Sequence, residues 1–176
     1  MKTTGSSDSK TREILRRRAA ELARVPVVDD GLGETLEVVE FSLAGERYGA
    51  ESGLVAEVLH FSNCTPLPCT PPFVLGLVNV RGRFVHAIEI GRFLGLPARG
   101  IVDLHHLLIV RHSGIELGIV ADLVAGLRRV PLASLQPPPA ALAGHLRGMT
   151  AERLALLDIP SILADPRQVV DEEVDV

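Results

Sequence analysis

With 176 residues and a formal net charge of −4, the chain is long enough to bury a core without disulfide or metal staples. Aromatic residues make up 3% with no Trp, which argues against the stacking platforms of single-strand nucleic-acid binding. The acidic balance argues equally against a duplex-binding domain, so no nucleic-acid partner is expected.

The charge is unevenly divided. Residues 1–24 hold seven Lys/Arg against three acids, whereas residues 25–176 hold eleven against nineteen. The first ten residues, MKTTGSSDSK, are small and polar and are expected to be disordered. From Thr11 to Arg24 the sequence TREILRRRAAELAR sets Leu15, Ala19 and Leu22 on one stripe of an otherwise arginine-covered helix. Pro26 ends this N-terminal amphipathic helix, and Asp29, Asp30, Gly31 and Gly33 form a flexible connection, so residues 1–34 read as an appendage.

No secretory h-region opens the chain, and no run of about 18 apolar residues could span a bilayer. A cytoplasmic protein without direct membrane insertion is expected. Cys64 and Cys69 read as free thiols. With His60 they offer three ligands where a structural zinc site takes four, so no metal and no cofactor are expected.

From Thr35 the hydrophobic period changes to that of strands: LEVVEFSL, a turn at Ala44-Gly45, then ERYGA. Further short apolar runs follow at LVAEVLHF, FVLGLVNV, RFVHAIEI, LHHLLIVR, IELGIVADL, LVAGLRRV and LALLDI, punctuated by Gly or Pro. So many strands at this spacing predict an all-β barrel or sandwich. Short helical turns are expected after Glu89 and after Asp158.

The strands repeat. Setting Gly45 over Gly114, an offset of 69, aligns Leu54-Val55-Ala56 with Leu123-Val124-Ala125, Glu89 with Asp158 and Leu94 with Leu163. Arg81-Gly82 falls on Arg147-Gly148 at an offset of 66, and both halves hold a central proline cluster, TPLPCTPP and QPPPA. Two related β subdomains are expected, at about 37–96 and 104–165, within a domain spanning 35–165 and followed by an acidic tail at 166–176.

Three carboxylates, Glu89, Asp122 and Asp158, each follow an apolar strand and could serve acid/base or metal chemistry in a small hydrolase. The repeat favours another role for two of them, since an acid before a helical turn caps its free N–H groups. No nucleophile elbow, phosphate loop, dinucleotide fingerprint or HExxH occurs, so catalysis is not expected. What remains is surface. Gly82 answers to the positive φ of a hairpin turn, but a turn does not need the arginine at Arg81, whose planar fork of donors suits carboxylates on a partner.

The stretch TPPFVLGLVNVRGRFVHAIEIGRFLGL resembles the central signature of the CheW-like domain, the coupling adaptor of bacterial chemosensory arrays. FSLAGERYGAESGLVAEVL resembles its first hairpin and following strand, ELGIVADLVAGLRRVPLASLQPPP the counterpart in the second half, and LALLDIPSIL the closing strand and helix. The resemblance covers about 36–165. It implies two tandem five-stranded SH3-like barrels and a non-catalytic scaffold of two-component signal transduction. The partners it implies are the tip of a methyl-accepting chemoreceptor and the regulatory domain of a CheA-type histidine kinase. Carried over residue by residue, it marks Val55, Glu57, Gly76, Arg81 and Leu127 as protein-binding positions. The basic N-terminal helix lies outside the family's minimal unit, Glu89 stands where Asp is commoner, and the second hairpin at Met149–Glu152 is short.

Overall fold

The structure, a computed structural model, describes residues 33–97 and 104–168. The expected N-terminal tail and amphipathic helix lie outside the described residues, as do the central link at 98–103 and residues 169–176 of the acidic tail.

Every strand expected from the alternating pattern is present. The chain runs through β1 (Thr35–Leu43), β2 (Glu46–Glu51), β3 (Val55–His60), β4 (Cys64–Thr65), β5 (Val74–Val80) and β6 (Arg83–Ile88) to a short helix α1 (Ile90–Phe93). It continues with β7 (His106–His112), β8 (Ile115–Ala121), β9 (Leu123–Pro131), β10 (Leu146–Met149), β11 (Leu154–Leu157) and a second short helix α2 (Ile159–Leu163). Ala44-Gly45, Arg81-Gly82 and Ser113-Gly114 close three two-residue hairpins with both central residues at positive φ. That geometry matches the right-handed twist of the strands, and glycine at the second position accepts it without a steric cost.

The strands form two sheets, ordered β10-β11-β2-β1-β9 and β3-β7-β8-β6-β5-β4. The repeats expected at 37–96 and 104–165 recur strand by strand, but they are not the units of hydrogen bonding. The hairpin β1–β2 joins β9, β10 and β11, and the hairpin β7–β8 joins β3 to β6. The exchange is symmetric: β1 lies antiparallel to β9 as β7 does to β3, and β2 lies parallel to β11 as β8 does to β6. One sheet has six strands rather than five because Cys64 and Thr65 pair with Val78 and Leu77. In the other sheet the same contact is reduced to a single bridge, Gln136 to Met149.

The symmetry also corrects the repeat. Gly148 is not a turn residue but lies inside β10 opposite Leu156, at a bulge. Its counterpart is Gly76, at the bulge of β5 opposite Ala87, 72 residues earlier. Both face a crossing backbone closely, since a Cβ at Gly76 meets the Thr65 carbonyl oxygen at 2.1 Å and one at Gly148 meets that of Gln136 at 3.0 Å. What the two Arg-Gly pairs share is therefore only composition.

One core serves both sheets. Phe41, Ile88, Ile90, Phe93, Leu108, Ile119, Leu157 and Ile162 are among its buried members, drawn from both halves of the chain. A smaller cluster of Val38, Val130, Leu154 and Leu156 fills the other face of the five-stranded sheet. The C-terminal turn is pinned to the first half through Arg167. Its guanidinium lies over the Phe93 ring at 4.4 Å, donates to the Phe93 carbonyl and pairs with Asp165, whose second partner is His145. The Arg167 guanidinium holds the Asp165 carboxyl well below the usual carboxylate range, against the burial that pushes it up.

Two outcomes follow for stability. Gly76→Ala destabilises the domain by about 3 kcal/mol, from backbone overlap and a φ of +142°, read as a lower urea midpoint; an unchanged midpoint contradicts the packing. Because the folded Asp165 carboxyl binds its proton only at lower pH than the unfolded one, its contribution is complete at neutral pH and lost from about pH 5 downward. Asp165→Asn lowers stability at pH 7 and flattens the acid limb of the unfolding free energy, whereas parallel pH profiles for the two proteins remove Asp165 from the account.

Candidate interaction surface

β3 is an edge strand of the six-stranded sheet and, among the described residues, pairs only with β7. It bulges at Ala56, so that Val55 faces Val110 and Glu57 faces Ile109. The β5–β6 tip reaches the same side of the molecule. Asn79 Oδ1 accepts a bond of 2.8 Å from the Gly82 N–H and closes the tip, which gives the Asn-x-Arg-Gly signature its local reason. Arg81 stands at φ 51°, and its guanidinium reaches Glu57 at 3.2 Å while the side chain stays 77% exposed. The partner within the chain that Arg81 lacked in the sequence is therefore Glu57. At that exposure the pair is worth well under about 1 kcal/mol, so folding alone does not account for it.

Glu57 also pairs with Arg83 at 3.4 Å, Arg83 donates to Glu116, and Arg111 meets Glu116 at 3.6 Å. Sequence reasoning missed these three residues. They lie on β6, β7 and β8, and no local pattern ties them together.

The five expected positions do not converge on one patch. Val55, Glu57 and Arg81 are gathered at one end of the six-stranded sheet. Leu127 lies on β9, the edge of the other sheet, and is 67% exposed, with Leu123 of the same strand at 58%. Gly76 is buried inside β5 and presents no surface, its requirement being the close pass of Thr65. An apolar concavity of about 190 Å3 between the first hairpin, α1 and β10, lined by Leu43, Leu94, Leu96, Leu142 and Met149, contains none of the five.

The three carboxylates weighed for hydrolysis are each engaged separately. Asp122 Oδ2 accepts from the Ala44 N–H at 2.7 Å, tying the β8–β9 junction to the first hairpin. Asp158 caps α2 by accepting from the Ser161 N–H at 3.1 Å, as expected. Glu89 makes no such cap bond and pairs instead with Arg92 at 2.9 Å, one methylene carrying its carboxylate past the backbone. Among the described residues no three His, Cys, Asp or Glu side chains are grouped to hold a metal. The arrangement does not support the hydrolase alternative. No helix among the described residues is long and apolar enough to cross a membrane.

Comparison with known proteins agrees with this geometry. The CheW-like domain family matches residues 37–167. Protein FrzA of Myxococcus xanthus is 35% identical over 136 residues, covering 73% of this chain and 85% of FrzA. Protein PilI of Pseudomonas aeruginosa is 30% identical over 138 residues, covering 76% and 78%. The crystal structure of the scaffolding protein TtCheW from Thermoanaerobacter tengcongensis superposes with a TM-score of 0.63 at 26% identity, over 72% of this chain and 90% of that one. A two-sheet fold in which the described residues assemble no catalytic or metal-binding group thus superposes on a scaffolding protein, and the chain belongs to the CheW-like family of non-catalytic chemosensory adaptors.

Proposed function

We propose that the protein is a cytoplasmic adaptor that joins the tip of a methyl-accepting chemoreceptor to the regulatory domain of a CheA-type histidine kinase. The observation that carries this reading is the pair of exposed edges, β3 and β9, standing on opposite sheets that share one core. A coupling protein needs two surfaces at fixed separation, and a common close-packed interior supplies that rigidity. Relatives that carry the names chemotaxis protein CheW and scaffolding protein support it.

In this reading Val55, Glu57 and Arg81 belong to one contact and Leu127 to a second. Arg81 offers a fork of donors at an exposed tip, and Leu127 an exposed apolar side chain on the edge strand β9. Gly76 acts indirectly, because its bulge fixes the course of β5 and hence the position of the tip. Signalling then requires no chemistry in the adaptor. Occupying both surfaces holds receptor and kinase in one geometry, and the coupling is a property of the ternary assembly.

Arg81→Glu weakens co-sedimentation with a receptor-tip fragment or with the kinase regulatory domain by about tenfold, in line with reversal of a contact charge, at an unchanged melting temperature. Leu127→Asp weakens capture of a partner in the same assay, again with the fold intact. Binding of both fragments unaltered by either substitution contradicts the two-surface reading.

A further inference from the structure

The ion pairs around Glu57 form an unbroken alternation of sign, Arg111–Glu116–Arg83–Glu57–Arg81, that links β7, β8 and β6 to the edge strand β3 and the β5–β6 tip. Arg111 stands directly opposite Glu116 in the β7–β8 register, and Glu57 lies on β3 next to β7. The two signs are not equally presented. Glu57 and Glu116 are 19% and 18% exposed, whereas Arg81, Arg83 and Arg111 are 77%, 49% and 57% exposed. The carboxylates lie beneath and the guanidiniums outside.

The stoichiometry is also skewed. In the five-stranded sheet Arg47 and Arg128 are balanced by Glu40 and Glu152, two against two. Here three arginines share two acids, on a chain whose formal charge is −4. A cationic face on an acidic body attracts carboxylates over a distance of about a Debye length, and orients their approach.

We propose that Arg81, Arg83 and Arg111 form a docking face for a partner protein that presents carboxylates, and that Glu57 and Glu116 are positioning residues that hold the guanidiniums outward. The proposal deepens the adaptor reading, on which it rests. It gives the partner's contact face an acidic character, extends the contact to Arg83 and Arg111, and moves Glu57 from a contact to a support. A planar guanidinium held by a partly buried carboxylate, one each for Arg81 and Arg111 and two for Arg83, is fixed in place with N–H donors left for a further carboxylate, which a freely rotating side chain offers only at a cost in rotamer entropy.

The test is surface-bound kinetics of the full chain against two probes from the same genome, a CheA-type kinase regulatory domain and a receptor-tip fragment. For the probe that docks on this face, the wild-type on-rate falls as salt rises from about 0.05 M to about 0.5 M. The double variant Arg83→Glu/Arg111→Glu lowers that on-rate about tenfold at low salt and flattens its salt dependence. Glu57→Gln gives the signature of a support: the off-rate rises about threefold or more while the on-rate holds or increases, because the face becomes more positive. A drop in on-rate for Glu57→Gln makes Glu57 a direct contact with a basic partner and overturns the assignment. Tighter binding by the arginine reversals overturns it as well. Wild-type binding to either probe that neither salt nor the reversals change removes the docking face but leaves the adaptor standing. No wild-type binding to either probe removes the adaptor reading and this proposal together. The salt titration needs no substitution, so a variant that fails to fold does not shield the idea.

Discussion

The parallel pairing of β2 on β11 and of β8 on β6 is the contact on which the rest of the structure depends. It delivers the hairpin of each half into the sheet of the other, so neither half closes a sheet with its own strands. The approach is close where it happens: a Cβ at Gly49 meets Leu156 Cδ2 of β11 at 2.7 Å, and one at the equivalent Gly118 meets the His86 carbonyl oxygen of β6 at 3.3 Å. Glycine at these two positions admits the exchange, and the exchange produces a single interior. A scaffold that must hold two partners apart at a set distance gains from this, because a hinge between the halves would have to break a sheet before it could open.

The two halves have kept a common plan and diverged at their outer edges. β3 and β9 bulge at equivalent alanines, Ala56 and Ala125, and present Val58 and Leu127 at the same place. The differences are local and electrostatic. Where β3 carries Glu57, β9 carries Gly126, and the long β5–β6 hairpin that lifts Arg81 toward Glu57 has only a short counterpart between β10 and β11. β3 is thereby joined to a chain of ion pairs that runs out to Arg81, while β9 carries the exposed Leu123 and Leu127 together with Arg128 and Arg129, paired with Glu40, Glu152 and Glu37. The same fold, used twice, thus carries two edges of different chemistry.

Much of the fold was legible in the sequence because alternation, paired glycines and the offset of 69 are local or periodic signals. The nine strands read from apolar runs are all present, and the two missed, β4 and β10, are the ones too short to show a period. Hairpin exchange was not legible, since periodicity reports which face a residue takes and not which strand it pairs with. Gly76 was misread as surface for a related reason: a glycine needed for backbone passage and one needed at an interface look the same in one dimension. Of the interaction surface, Arg81 stood out because its turn does not explain it. Arg83, Arg111 and Glu116 did not, because their alternation joins strands that are far apart in the sequence. Asp158 behaved as the cap its position suggested, while Glu89, longer by one methylene, found Arg92.

The hairpin exchange also sets an order of events during synthesis. Arg47 and Tyr48 leave the ribosome about a hundred residues before their parallel partners Leu154 and Ala155, which belong to the last strand of the described chain. The first hairpin can form locally within microseconds. It cannot dock on its sheet until nearly the whole domain has been made, and until then β2 presents an unpaired edge. Completing the fold is thus a late, long-range closure, the kind of step that makes proteins rich in non-local pairing slow to fold. The feature that gives the finished adaptor its rigidity exposes the growing chain to mispairing while the strands between β2 and β11 are made.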